Sequence, residues 1–302
     1  MNEELNDEGG LDEVVDEQDP NDRPEARGVL FGKLRQDHRG VTILYDGQWN
    51  WLKPEHDYAA LLDGISRVPP EPFILFKSRV GIAKVALLAC GLGLIFGVHL
   101  TLLIFTFSFP SPLTLWCIYA LFMCVYHWSE FLITAVYHPQ SCNFDSFLVN
   151  QSLEFGIAIT LSWLEFWLEC WLVPSLKSSY VLAPAIGIVI IIAGQCIRSL
   201  AMIQAGPSFT HIIAQSKERR HQLITHGLYS ILRHPGYFGW FYWSIATQIL
   251  LCNPLCAVAY FVVSQRFFKG RIPVEEAALI RIFGPEYHAY RRRTWIGIPG
   301  IP

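Results

Sequence analysis

Four long apolar runs, at roughly 80–107, 113–136, 147–172 and 181–203, follow a first quarter in which polar and charged positions recur without period. A run of this length crosses a hydrocarbon core of about 30 Å at about 1.5 Å rise per residue, so each predicts a transmembrane helix. Two shorter apolar runs come next, Gly236 to Leu251 and Leu255 to Phe268, separated by Asn253 and Pro254. Asn and Pro together end a helix and favour a turn, which predicts a helical hairpin. The expected fold is therefore all-α: a polytopic integral membrane bundle of about six transmembrane helices, the last two forming a short C-terminal hairpin. Three regions result: 1–79, polar and partly disordered; 80–203, with four spans; and 204–302, with a cofactor-binding connection, the hairpin and a tail. Within the first, VTILYDGQWNW and the Pro-rich RVPPEP are the organised stretches, with room for a few short strands.

Composition agrees with that class: 52% of the 302 residues are hydrophobic and 16% charged, which argues against a soluble domain. The net charge of −3 hides a segregation, since the first 22 residues hold many Asp and Glu but no Lys or Arg, as in a solvated tail. No apolar segment follows Met1, so targeting is expected from an internal span rather than a cleaved signal. For six spans, one side carries nine Lys and Arg before the first span, none on 137–146, four on 204–235 and seven from Arg266 onward; Lys177 stands alone opposite. Positively charged loops stay in the cytoplasm, so both termini and the 204–235 connection are expected there. The eight cysteines (90, 117, 124, 142, 170, 196, 252 and 256) include no C-x-x-C and mostly sit in apolar runs, which reads as packing rather than metal or disulfide chemistry.

Several ionisable residues fall in or near the spans, where each costs a few kcal/mol unless paired or hydrated. Glu165, Glu169 and Lys84 lie near span ends and are expected to reach the interface. For Glu130, Glu154 and Arg198, pairing between helices and lining of a site are both open.

The cytoplasmic side concentrates the chemistry. After Gly206 and Pro207, the stretch SFTHIIAQSKERRHQLITHGLYSILRHPGY interleaves His211, Gln215, His221, His226, Tyr229, Arg233 and His234 with apolar residues. The histidines lack HExxH or paired-ligand spacing, and no metal is expected; a mixed apolar, aromatic and donor lining suits a nucleoside cofactor better. No G-x-G-x-x-G or P-loop is present, so such a site is neither Rossmann nor Walker in type, and nothing points to nucleic acid. The last span is followed by RFFKGRIPVEEAALIRIFGPEYHAYRRR. Pro273 near a start, Glu275 and Glu276 in a first turn, and Gly284 with Pro285 past the end predict a short amphipathic helix of about three turns. Dipole complementation and the positive-inside rule explain these charges; a site in which Arg271 meets a carboxylate on a lipid tail explains them too.

RHPGYFGWFYW, the CNP break, RFF…R…EE and FGPEYHAYRRR, preceded by HWSEFLITAVYHP, FDSFLVNQSLEF, SWLEFWLE and SFTHIIAQ, resemble the isoprenylcysteine carboxyl methyltransferase family from about Ala83 to the end. The R-H-P-x-Y-x-G element alone also resembles sterol reductases and phospholipid methyltransferases, so an NADPH-dependent reductase or a non-catalytic scaffold are the rival readings. The resemblance implies an enzyme of the endoplasmic reticulum membrane that moves a methyl group from S-adenosyl-L-methionine to the C-terminal carboxylate of a prenylated cysteine, as in CaaX-processed small GTPases. Carried over by motif, it assigns Gln215, His221, Gln222, Leu223, Ile224, Tyr229 and His234 to the cofactor, and Arg271 and Glu275 to substrate and catalysis. Animal relatives generally carry two further N-terminal spans where residues 1–79 are polar here. Pro273 also disfavours helix at Ile272, so Arg271 and Glu275 are expected to face each other across a kink, with Glu276 as alternative partner.

Overall fold

In the computed structural model, the residues described are 33–36, 42–45, 79–107, 111–137, 139, 142–149, 152–178, 182–209 and 222–302. The chain divides into two units, Met1–Glu71 and Pro72–Pro302. In the first, β1 (Lys33–Gln36) pairs antiparallel with β2 (Thr42–Tyr45), Lys33 opposite Tyr45 and Gln36 opposite Thr42. Strand β2 falls inside VTILYDGQWNW; the expected partial disorder of this region lies outside the described residues.

The second unit is helical: α1 (Arg79–Thr106), α2 (Pro112–Tyr137), α3 (Leu153–Leu172), the short α4 (Pro174–Ser178), α5 (Leu182–Ala205), α6 (Pro235–Leu250), α7 (Pro254–Phe283) and α8 (Pro285–Arg293). Among the described residues, four helices are long and apolar enough to cross a membrane: α1, α2, α3 and α5. Helix α3 begins at Leu153, not at 147. Asn143 accepts from Asp145 N at 2.7 Å and caps a 3-10 turn over Phe144–Phe147, and Ser152 then caps α3 through Phe155 N.

The expected hairpin forms from α6 and α7, turning through Cys252 and Asn253. Its tip is fastened from α3 and α4 rather than left at the interface. Glu165 accepts from Leu255 N and Cys256 N, each at 2.7 Å, satisfying the first donors of α7. The buried Lys177 donates to Leu251 O, Cys252 O and Asn253 Oδ1, each at 2.8 Å, and pairs with Glu169 at 2.6 Å. Beyond the expected position near span ends, Glu165 and Glu169 have partners: helix ends need their free donors and carbonyls satisfied, and these carboxylates, with Lys177, serve them.

Helices α5 and α6 run antiparallel with their backbones nearly touching. A Cβ on Gly187 would lie 2.6 Å from Leu250 N, and one on Gly194 would lie 2.8 Å from Gly239 O. Further along the interface, Ala201 reaches Gly236. The small residues at 187, 194 and 201 recur every seven positions, a spacing that keeps one seam against a partner helix. Near the same seam, Glu130 of α2 pairs with Arg198 of α5 through Nε and, at 2.9 Å, Nη2, while Nη1 donates to Gly236 O at 3.2 Å. Pairing between helices therefore accounts for both charges, and the exposed Glu154 sits in the first turn of α3 beside the positive helix end.

Helix α7 continues through Pro273 for 30 residues, which corrects the expected new start there. Pro273 and Lys269, whose carbonyl loses its donor, are both exposed, while Ile272 and Glu276 are buried on the other face. Water can reach the freed carbonyl, and packing on the buried face holds the helix across it.

Candidate functional site

The site lies where the end of α5, the start of α6 and the second half of α7 meet α8. Gly206, at φ 48°, and Pro207 end α5 in a 3-10 turn. Residues 222–225 return along it, with Gln222 N donating to Ser208 Oγ at 3.2 Å. Gly227, at φ 59°, opens a second 3-10 turn against Gln204, whose Oε1 accepts from Leu228 N at 2.8 Å. There a left-handed backbone and the closeness of the Gln204 amide both favour glycine. Leu232 then forms a parallel bridge with Trp295, so the tail lies beside the chain as it enters α6 at Pro235.

These elements line an open cavity whose empty volume, adjoining solvent included, is about 950 Å³. Its polar lining includes Gln222, Tyr229, His234, Tyr237 and Glu275; its apolar lining includes Phe209, Leu223, Ile224, Leu279, Ile282 and Phe283. Tyr287 and Tyr290, one helical turn apart on α8, close another side. The Tyr290 hydroxyl donates to Tyr229 O at 2.7 Å and so ties α8 to the turn after Gly227. Burial, foremost, raises the pKa of Tyr229, Tyr287 and Tyr290, which keeps their hydroxyls protonated.

Two charge relays meet at the wall formed by α7. Arg271 and Glu275, four residues apart on the continuous helix, converge on one atom: Arg271 Nε donates to the Tyr237 hydroxyl at 2.8 Å, and that hydroxyl donates to Glu275. Instead of facing each other across a kink, they share a tyrosine, and the Arg271 guanidinium also lies 5.6 Å from its ring centroid. Glu276, the alternative partner, instead accepts from Arg233 Nε at 2.8 Å and forms an ion pair with Arg291 Nε at 3.2 Å.

His234 stacks on Tyr237, with ring centroids 5.5 Å apart. Its Nδ1 lies 3.6 Å from Glu275 and its Nε2 3.5 Å from Glu276. These separations exceed a normal hydrogen bond, and Nε2 is buried without one. Burial disfavours the imidazolium, but the two carboxylates outweigh it and raise the His234 pKa. Burial likewise opposes the charge of each carboxylate. His234 outweighs it at Glu275 with Tyr237 and Arg271, and at Glu276 with Arg233 and Arg291, so both pKa values fall.

Of the residues assigned from the sequence, Gln222, Leu223, Ile224, Tyr229, His234 and Glu275 line this one cavity, and Arg271 joins it through Tyr237. Gln215 and His221 lie outside the described residues. Sequence reasoning did not select Tyr237, Phe209, Tyr287 or Tyr290. Tyr237 stood in the RHPGY motif three residues after His234, and the i, i+3 tyrosines of the tail were the other available signal. The lining fits a nucleoside sulfonium compound: apolar side chains for a base, hydrogen-bonding groups for polar edges, and a carboxylate with aromatic faces for a positive centre.

The model of the isoprenylcysteine carboxyl methyltransferase family matches residues 185–281. The chain is 44% identical over 221 residues to the protein-S-isoprenylcysteine O-methyltransferase of Homo sapiens, covering 72% of this chain and 75% of that protein. Against the Dictyostelium discoideum protein of the same name it is 39% identical over 223 residues, covering 74% and 92%. A solved structure described as the eukaryotic intramembrane Ras methyltransferase superposes with a TM-score of 0.70 at 39% identity, covering 75% of this chain and 80% of that one.

Proposed function

Because the chain belongs to the isoprenylcysteine carboxyl methyltransferase family, we propose that it esterifies the C-terminal carboxylate of prenylated cysteine with a methyl group from S-adenosyl-L-methionine. The substrates proposed are CaaX-processed proteins such as small GTPases, and the setting is the cytosolic face of the endoplasmic reticulum membrane, with both termini cytosolic. The observation that carries this reading is the convergence of Arg271, Tyr237 and Glu275 on the wall of a mixed polar and aromatic cavity.

Gln222, Leu223, Ile224, Tyr229 and His234 would hold the donor, joined by Gln215 and His221. When bound, S-adenosyl-L-methionine supplies an electrophilic methyl on a positively charged sulfur. A terminal carboxylate, with a pKa near about 3.5, is ionised at neutral pH, so no residue of this chain has to act as a strong general base. The work left to the protein is alignment and exclusion of water, which can supply about 7–11 kcal/mol of barrier reduction. Arg271 binds and orients the carboxylate through its guanidinium. Its Nε is engaged by the Tyr237 hydroxyl, which Glu275 in turn polarises, so the guanidinium is held in place and its charge partly shared. A less engaged Arg271 would bind the carboxylate more tightly and blunt its nucleophilicity. Leu279, Ile282 and Phe283 exclude water from this wall.

The prenyl chain gains about 0.8 kcal/mol per CH₂ by remaining in lipid, whereas the donor arrives from water. A site at the ends of α5 and α6 serves both, with lateral entry of the lipid between helices. Membranes containing the protein, incubated with labelled S-adenosyl-L-methionine and a farnesylcysteine analogue, should yield a base-labile methyl ester. A delipidated analogue should lose most turnover; absence of ester from the farnesylated one would overturn the reading.

A further inference from the structure

We propose that Arg233 is a positioning residue for this reaction: with Glu276 and Arg291 it clasps the C-terminal tail to α7 and thereby sets His234 and Glu275 at the cavity wall. The inference rests on the methyltransferase reading above. Arg233 is only 7% exposed, though it stands at the entrance to α6, where a charge serving merely as a membrane anchor would reach water. Its guanidinium is spent entirely on the fold. Nε donates to Glu276, Nη1 to the carbonyls of Thr294 and of Arg291, the latter at 3.1 Å, and Nη2 to Pro302 O at 2.9 Å. The backbone repeats the attachment, with Arg233 N donating to Trp295 O at 2.7 Å and Trp295 N to Ile231 O at 2.9 Å. Beyond it, Ile296 and Ile298 are buried against Phe241, Phe268 and Ile272, so the strap has a fixed seat on α6 and α7.

The consequence for chemistry comes through Glu276. Its two oxygens are claimed by Arg233 at 2.8 Å and Arg291 at 3.2 Å, yet Oε1 also lies 3.5 Å from His234 Nε2. Released from the arginines, Glu276 is free to close on His234 and take the imidazole away from Glu275, 3.6 Å from its other nitrogen. Glu275 is the carboxylate that receives the Tyr237 hydroxyl, and Tyr237 holds Arg271. Arg233 therefore acts through Glu276, His234 and Tyr237 rather than on the reacting groups, by keeping neighbouring carboxylates committed to different partners. A planar guanidinium directs its five donors from three separate nitrogens and so reaches acceptors spread over α7 and the tail, whereas a lysine ammonium directs three donors from a single point.

The test compares the wild type with Arg233→Lys, Arg233→Gln, Glu276→Gln and Arg291→Gln, all full-length in lipid nanodiscs, by donor binding, thermal unfolding midpoint, and kcat and KM for farnesylcysteine analogue. Wild-type ester formation is the control whose failure would sink the methyltransferase reading rather than this one. Donor titrations that reach wild-type stoichiometry identify folded variants. Among these, kcat should fall by about tenfold or more for Arg233→Gln, with KM changed less, as for a misplaced reacting group, and less for Glu276→Gln, which has no carboxylate to close on His234. Arg233→Lys should not restore it, and the Arg233→Gln/Glu276→Gln double variant should recover part of the Arg233→Gln loss. Arg291 is partly exposed, so Arg291→Gln remains folded and should show a smaller loss in kcat even if the buried substitutions do not fold. Wild-type kcat in a folded Arg233→Gln or Arg291→Gln, or multiplicative losses in the Arg233→Gln/Glu276→Gln double variant, would overturn the proposal.

Discussion

Replacing Tyr237 by Phe removes one oxygen and leaves the ring on which His234 stacks and against which Phe268 packs, with centroids 5.5 and 4.9 Å away. The atom removed accepts from Arg271 at 2.8 Å and donates to Glu275, and both partners are charged. Hydrogen bonds to charged groups contribute about 1.5–3 kcal/mol each. Arg271 is not stranded, because it retains the aromatic face of residue 237 and that of Phe267, 5.9 Å away. A loss of about 2–3 kcal/mol of transition-state stabilisation is expected, the equivalent of one such bond, and at 1.36 kcal/mol per decade it slows kcat by about 30- to 150-fold. Donor affinity should change little, since the cavity wall keeps its shape, while the unfolding midpoint should fall modestly with the loss of these bonds. The assay is methyl ester formation under saturating donor, alongside calorimetric donor binding. A folded, donor-binding Tyr237→Phe with kcat within about threefold of wild type would refute the relay, as would a defect confined to donor binding.

Gly194→Ala places a methyl 2.8 Å from Gly239 O, and because backbone rather than a side chain must yield, α5 and α6 separate; a lowered unfolding midpoint is expected, with a cost of about 1–3 kcal/mol, and an unchanged midpoint would contradict the packing. Lys177→Met leaves three acceptors and Glu169 without their cation, for an expected loss of about 3–5 kcal/mol; Glu169→Gln in the same chain should recover part of it, measured by thermal denaturation. The pKa of His234 is raised, so its stabilisation is complete below the ordinary value of 6.5 and is lost as pH climbs through the raised one. Glu275 and Glu276 have lowered pKa values, so their contribution is complete above the ordinary 4.5 and is lost on acidification through the lowered ones. The unfolding midpoint should therefore fall on both sides of a plateau, and His234→Gln should remove most of the alkaline fall; an unaltered alkaline limb would place its origin elsewhere.

The spans were legible because lipid leaves one answer for a long apolar run: a helix that satisfies its own backbone. The hairpin was legible too, from Asn253 and Pro254. What escaped sequence reasoning depends on partners far along the chain. Nothing near Glu165 announces that it caps α7 from about 90 residues away. Phe147, Leu148 and Val149 looked like the beginning of a span because apolar residues leaving a short turn have the same composition as a helix end. Pro273 looked like a start because local sterics oppose helix before it, and a helix buried along one face overrides them. At the site, motif resemblance picked residues that share one cavity, but Tyr237 emerged only when the structure placed its hydroxyl between Arg271 and Glu275. Arg233 was ambiguous for the same reason, since its acceptors, the Glu276 carboxylate and three backbone oxygens, lie between 43 and 69 residues away.

Arg271→Ala separates donor binding from carboxylate positioning more cleanly than any other substitution here, since among the described residues Arg271 does not line the cavity and is linked to it by Tyr237. Measured in nanodiscs with labelled S-adenosyl-L-methionine and farnesylcysteine analogue, the variant should bind donor with an unchanged Kd while single-turnover ester formation falls by about a hundredfold or more. Ester formation at the wild-type rate, in protein that binds donor normally, would contradict the assignment of Arg271 to the substrate carboxylate.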